Sequence, residues 1–180
     1  MRLGTMSIAI LLLAGMCSAR SLPSKGDWKL QERRDYLSQE EEDKIRDAET
    51  ASERIKLYIS FAEDRLKKLQ YELQRTEPES NRSELLNGLL NGYSGSVDDA
   101  ADQLIVGHDK GEDVRGAIKL MQDKCKDFLA ALQRIEKDAV ELDTYKDTLE
   151  DAIEGTKDAL DDANKAAKDS TAPPVRRKPS

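Results

Sequence analysis

Residues able to carry out chemistry are few in this chain. It contains one histidine, His108, and two cysteines, Cys17 and Cys125. Nucleophilic catalysis requires a nucleophile within hydrogen-bonding reach of a base. Cys125 falls in an apolar seam, where a cysteine behaves as a small hydrophobic residue, whereas His108 falls in a predicted turn. The sequence therefore predicts a protein that is not an enzyme and that carries no cofactor.

One weak cluster of metal-ligand residue types lies around a single turn. His108, Asp109, Glu112 and Asp113 could together hold a divalent ion loosely at one end of a helical bundle. The favoured alternative is a solvated turn whose acidic residues stabilise a helix N-terminus. Di-iron helical bundles use Glu-x-x-His motifs directed into the core, and no such motif occurs here. We therefore assign no metal, catalytic or cofactor-binding residue from the sequence.

The elements that would position these residues are amphipathic helices. A strict heptad seam runs from Val114 to Leu142, with steps that alternate between four and three residues. Such a helix is apolar along one narrow stripe and needs a partner helix to cover it. The seam consists of Val114, Ile118, Met121, Cys125, Phe128, Leu132, Ile135, Ala139 and Leu142.

A second seam predicts an earlier helix over about residues 38–75. Its start is a capping box in which Ser38 is the cap and Glu41 follows three residues later. Pro78 closes the segment, because the residue before a proline is driven out of the helical conformation. The seam consists of Ile45, Ala48, Ser52, Ile55, Ile59, Ala62, Leu66, Leu69 and Leu73.

Between the two seams, the pattern predicts a helix over about residues 81–106 that contains three glycines, Gly88, Gly92 and Gly95. Either they let another helix approach closely, or the helix breaks near residues 94–96. We favour a continuous helix that is kinked or loosely wound. A glycine suits a helix C-cap, so Gly107 is expected to end this helix, and Asp109 is expected to cap the next.

The last helical segment is predicted over residues 110–142, continuing or restarting to residue 168. The apolar pattern shifts phase by one residue at Tyr145, which indicates either a stutter or a fourth helix. The predicted fold class is all-α. Three long helices, or four if the last one restarts, would form an elongated antiparallel coiled-coil-like bundle over residues 38–168.

The two ends of the chain carry different signals. Residues 1–19 resemble a signal peptide, cleaved before Arg20, because their apolar run is shorter than the ~20 residues that span a bilayer. An uncleaved anchor and a lipidated Cys17 are the alternatives. Residues 20–37 are expected to be a flexible arm whose Trp28 and Tyr36 could dock on the bundle. Residues 169–180 are expected to be a disordered proline-rich, basic tail that could contact anionic surfaces weakly.

Composition narrows the function classes. The formal net charge is −7, and 36% of the residues are charged. An acidic chain disfavours nucleic-acid binding, which requires clustered lysine and arginine. The sequence therefore predicts an extracytoplasmic helical protein, periplasmic or secreted. We expect a scaffold or binding module that acts through a protein partner or self-association. The alternative is a carrier or chaperone-like protein that opens to bind lipid or unfolded chains.

Overall fold

A computed structural model describes residues 36–76, 80–138 and 142–171. The predicted signal peptide, residues 1–19, and most of the predicted arm lie outside the described residues, as do residues 172–180. Within the described part the chain is all-helical and contains no strand. Its five α-helices, which pack against one another, are α1 Gln39–Asp47, α2 Ala51–Gln74, α3 Arg82–Asp109, α4 Arg115–Asp138 and α5 Lys146–Thr171.

The long helices pack in a definite set of pairs. Helix α2 lies against α3 and α4, and α5 lies against α3 and α4. Gly107 neighbours Ala51, while Gly92 neighbours Arg65, so α2 and α3 run in opposite directions. Helices α3 and α4 follow each other in the chain but make few contacts among the described residues. One of these contacts crosses the core, where the rings of Tyr93 and Phe128 pack edge to face with their centres 5.6 Å apart.

Most positions of the two predicted seams lie in the core, but Ile45, Ala48 and Ser52, at the start of the earlier seam, are only half-buried. Each fully buried apolar side chain contributes roughly 1.5–3 kcal/mol of transfer free energy, so these stripes supply much of the drive to fold. Leu142 is partly buried at the edge of the core, and Ala139 lies outside the described residues. Buried positions of the apolar pattern from Val114 onward include Val114, Ile118, Met121, Cys125, Phe128, Leu132, Ile135, Tyr145, Leu149 and Ile153.

The helix predicted over residues 38–75 is instead two helices. Ser38 and Glu41 form the expected capping box, but α1 ends at Asp47, and Ala48 adopts an extended conformation. A second capping box then begins α2, because Thr50 and Glu53 satisfy each other's free amide groups. Heptad spacing alone does not detect this break, since it reports which residues face the core and not whether the backbone is continuous.

Helix α3 is continuous through its glycines and longer than the predicted 81–106. Gly107 does not cap it but lies inside it, where a Cβ atom would come within 2.5 Å of Cγ1 of Val114. Asp109 is the last residue of α3 and does not cap α4, which begins only at Arg115. The turn is made by Gly111, whose φ of 71° lies in the left-handed region that favours glycine.

The last predicted segment restarts and does not continue. Helix α4 ends at Asp138, and α5 begins at Lys146, after a short 3-10 turn over Leu142–Thr144. The phase shift at Tyr145 thus marks the start of a fourth long helix. Helix α5 extends to Thr171, past residue 169, where the tail was predicted to begin.

Candidate contact sites

The most unusual polar group of the described chain is Arg65, which is only 8% exposed. Its guanidinium donates to both carboxylate oxygens of Glu41, at 3.0 and 2.9 Å. It also donates to the main-chain oxygens of Phe61, at 3.1 Å, and Tyr36, at 2.9 Å. A buried charge is tolerated when it is both paired and hydrogen-bonded, and Arg65 meets both conditions.

Tyr36 completes this site on the surface of α3. Its hydroxyl donates to Oδ2 of Asp99 at 2.6 Å. Its ring lies so close to α3 that a Cβ atom on Gly95 would come within 2.5 Å of it. A Cβ atom on Gly92 would come within 2.8 Å of Nε of Arg65. The glycines therefore do permit a close approach, but by two side chains and not by a neighbouring helix. We name Tyr36, Glu41, Arg65, Gly92, Gly95 and Asp99 the Arg65 cluster.

Electrostatics keep the groups of the Arg65 cluster in fixed protonation states. Partial burial of Glu41 opposes its ionisation, but hydrogen bonds from Arg65 and Ser38 outweigh that effect, and its pKa is lowered. Burial and the hydrogen bond to Asp99 raise the pKa of Tyr36 far above its ordinary value. Glu41 is therefore an anion at neutral pH, and Tyr36 remains a hydrogen-bond donor.

The cluster fixes the position of the chain that precedes α2. We name residues 36–47 the docking segment: it consists of Tyr36, Leu37, the cap Ser38 and helix α1. Helix α1 has no buried residue, although Leu37 and Ile45 are partly buried against the core. An open groove of about 590 Å³ lies beside Tyr36, with charged residues of α1 and α2 along its rim. The Arg65 cluster thus supplies the principal polar contacts of the docking segment.

A second polar contact lies inside the bundle. The hydroxyls of Tyr93 and Thr156 are 2.7 Å apart and join α3 to α5. Thr156 also donates to the main-chain oxygen of Ala152 at 2.6 Å, and buried Ser96 donates to that of Gly92. Burial raises the pKa of Tyr93. These hydroxyls are satisfied within the helices and are not placed to attack a substrate.

Cys125 is fully buried in α4, as its seam position predicted. Burial raises the pKa of its thiol to about 11. The thiolate is the reactive form of cysteine, and at neutral pH very little of it is present here. The thiol therefore acts as a small apolar side chain in the core.

The side chains that the sequence suggested as a weak metal site contact different groups and do not face one another. The carboxylate of Glu112 accepts from the amide of Ala51 at 2.7 Å, at the start of α2. Asp113 pairs with Arg115 at 2.8 Å, and exposed His108 lies 3.7 Å from Asp109. Nowhere in residues 36–76, 80–138 and 142–171 do three or more His, Cys, Asp or Glu side chains converge to hold a metal ion.

The contact made by Glu112 was not predicted from the sequence. It joins residues that are 61 positions apart, and no local pattern links them. The side chain of Ser52 adds a hydrogen bond to the main-chain oxygen of Asp113 at 3.0 Å. The turn after α3 is therefore a structural joint that covers the N-terminus of α2, where a carboxylate is favoured by the helix dipole.

Two large apolar residues of the described chain are exposed to solvent. Ile105 is 56% exposed and Tyr71 is 66% exposed, near opposite ends of the bundle. Ile105 borders a cavity of about 190 Å³ between α3 and α5, which we name the Ile105 groove. Its lining comprises Ala101, Leu104, Ile105, His108, Asp162, Lys165, Ala166 and Asp169.

No known protein family matches the sequence, and comparisons with curated proteins and with solved structures also returned no match. Among the described helices, none is long and apolar enough to cross a membrane.

Proposed function

We propose that this protein is an exported, non-catalytic helical module that acts through protein contacts. In this proposal residues 1–19 are removed as a signal peptide, and the mature chain is periplasmic or secreted. Its helices form an elongated coiled-coil-like bundle. The principal supporting observation is that Cys125 is buried in the core and that the buried polar groups Arg65 and Tyr93 are occupied by hydrogen bonds within the chain.

The Ile105 groove is the contact surface we propose for a protein partner. It combines an exposed isoleucine with a small cavity, and Asp162 and Lys165 lie along its lining. Protein interfaces commonly have an apolar anchor that fills a pocket and a polar rim that excludes water. A partner of matching chemistry would present one apolar side chain flanked by charged residues.

Export is tested by determining the N-terminus of the protein recovered outside cells that express the full chain. The proposal requires a product that begins at Arg20. An intact residue 1 on protein retained in the cytoplasm would contradict it, as would turnover of a substrate by the purified protein.

The contact surface is tested with a photoreactive crosslinker placed beside the Ile105 groove. The measurement is the capture of one reproducible partner, identified by mass spectrometry, from the extracytoplasmic fluid of the producing cells. Ile105→Glu should abolish its capture, because a carboxylate would be desolvated in the interface. Tyr71→Glu is the matched control, since it places the same charge at another exposed apolar position. Equal capture by the two variants would contradict the assignment of the surface.

A carrier or chaperone-like role is the second candidate. The observation that favours it is that α1 has no buried residue and is held largely by the Arg65 cluster. Release of the docking segment would uncover apolar surface on α2 and α3. Binding to anionic or neutral lipid vesicles, or suppression of aggregation of an unfolded client, would support this role. Absence of both activities would remove it.

A further inference from the structure

The backbone breaks at a place where the sequence supports a continuous helix. The heptad spacing runs through Ile45, Ala48 and Ser52 without interruption, and residues 48–50 include neither proline nor glycine. Yet Ala48 and Thr50 are extended, and α1 folds back along α2. The sequence is thus compatible with a second conformation, in which residues 39–74 form one helix of roughly 54 Å.

Few contacts favour the broken conformation over the continuous one. Thr50 and Glu53 form a capping box that exists only when the helix is interrupted. Arg54 donates to the main-chain oxygen of Ala48 at 2.8 Å. The carboxylate of Glu112 accepts from the amide of Ala51 at 2.7 Å, a bond that a continuous helix would replace with an internal helical one. The remaining polar contacts of the docking segment are those of the Arg65 cluster, which does not include the hinge residues 48–50.

Straightening the hinge within a single chain would be unfavourable. Glu41 would move away from Arg65 and leave a buried guanidinium without its carboxylate, which is strongly destabilising. Tyr36 would leave its position on Gly92 and Gly95. A second copy of the chain carries the same tyrosine and the same glutamate at the same spacing, so it can restore the contacts that the Arg65 cluster loses, although not those of the broken hinge itself.

We propose that two copies of this protein exchange their docking segments, residues 36–47, through straightening of residues 48–50. The Arg65 cluster of each copy would then receive Tyr36 and Glu41 from the other. Exchange of an identical element creates a dimer whose contacts differ from those of the monomer chiefly at the hinge. The inference rests on the proposed role in protein contacts, and the contact it adds is with a second copy, at a surface separate from the Ile105 groove.

The directions of α1 and α2 predict that the exchange gives a closed, symmetric dimer. In the structure Glu41 lies beside Arg65, and Ala48 lies beside Arg54, so α1 runs antiparallel to α2. A docking segment from a second copy would occupy the same place and continue directly into its own α2. The two continuous helices would pack antiparallel about a twofold axis, which limits the assembly to two copies.

The first experiment alters the hinge and measures molar mass by light scattering over a concentration series. Thr50→Ala removes a helix cap that only the broken form uses. At each hinge this change should raise the equilibrium constant for straightening about fivefold. Two hinges give an association constant raised about 25-fold. Ser38→Ala is the matched control, because Ser38 caps α1 in both forms, and its dimer fraction should equal that of the unmodified chain.

Glu49→Pro provides the opposite change. Ala48 already has the extended conformation that a residue before proline adopts. In the broken form the proline removes one hydrogen bond, from the Glu49 amide to Oε2 of Glu53 at 3.0 Å, whereas inside a continuous helix it breaks the helix itself. This variant should be monomeric at every concentration. The proposal would be overturned if Thr50→Ala stays monomeric at every concentration. It would also be overturned if Glu49→Pro dimerises to the same extent as the unmodified chain.

A second experiment identifies the exchanged element by charge reversal. Glu41→Arg and Arg65→Glu each place like charges together in a closed monomer. In a mixed dimer, each Arg65 cluster again receives one positive and one negative side chain. Refolding the two variants together should give mainly the mixed dimer. This expectation holds whether or not either variant folds when it is alone. Monomers or unmixed dimers would overturn exchange, while the partner surface at Ile105 would remain testable as above.

Discussion

The guanidinium of Arg65 donates to both oxygens of the Glu41 carboxylate, which lies 24 residues earlier in the chain. This pair joins α1 to the middle of α2 across a break in the backbone. Only 10% of the Arg65 side chain and 18% of the Glu41 side chain are exposed. Such pairs differ from surface ion pairs, because removal of one partner leaves the other desolvated.

Neutralising Glu41 should therefore destabilise the protein. Glu41→Gln retains a residue that can complete the capping box with Ser38 but removes the charge that balances Arg65. We expect the free energy of unfolding to fall by about 2 kcal/mol, less than for a fully buried pair because part of the site contacts water. Urea unfolding measures this change. Glu40→Gln, which alters an exposed pair with Lys44, should change stability by less than about 0.5 kcal/mol.

Acid should weaken the same contact. The pKa of Glu41 is lower in the folded protein than its ordinary value, so the unfolded chain takes up its proton first as pH falls. This contribution to stability is complete above the ordinary pKa of glutamate, about 4.3, and is lost as pH falls through the lower folded value. Urea midpoints measured between neutral and acidic pH should decline less steeply for Glu41→Gln than for the unmodified chain. Parallel curves would contradict the assignment.

Two glycines of α3 allow a matched test of the Tyr36 contact. Gly88 faces open space, so Gly88→Ala should stabilise the helix by up to about 1 kcal/mol. Gly95→Ala gains the same helix propensity, but its Cβ would come within 2.5 Å of the Tyr36 ring and should displace it from Asp99. We expect Gly95→Ala to be less stable than Gly88→Ala by about 1–2 kcal/mol in thermal unfolding. Equal stability would show that the ring moves without loss.

Core positions were predictable from the sequence because burial on a helix repeats with a short local period. The seam from Val114 to Ile135 is buried as predicted, and Cys125 is among its members. The restart at Tyr145 left a signal too, as a change of phase. In these cases the residues concerned lie within one or two helical turns of each other, and periodicity records such relationships.

Docking of Tyr36 on the bundle was predicted, but its contacts with Arg65 and Asp99 were not, because they connect residues far apart in the chain. Arg65 occupies one flank of a seam and resembles any solvated charge. The break at residues 48–50 was missed for a related reason: Thr50 and Glu53 are compatible with both a helix interior and a capping box. Packing of the docking segment against α2 and α3 selects between these two states, and that packing is not recorded in the local sequence.

The hydroxyls of Tyr93 and Thr156 allow a test of how tightly α3 and α5 are joined. Thr156 donates its proton to Ala152, so Tyr93 must be the donor in the 2.7 Å contact between them. Thr156→Val removes the acceptor and leaves a buried phenol unsatisfied, which should reduce stability by about 1–3 kcal/mol. Tyr93→Phe removes the donor instead and should cost about 0.5–1.5 kcal/mol.

The double variant Tyr93→Phe with Thr156→Val should be more stable than the sum of the single changes predicts, because no buried hydroxyl is left without a partner. Urea unfolding of all four proteins gives the coupling free energy, which we expect to be about 1 kcal/mol. Additive effects would mean that the two hydroxyls do not depend on each other. In that case the contact between α3 and α5 would rest on apolar packing and on the hydrogen bond that Thr148 donates to the side chain of Asn87.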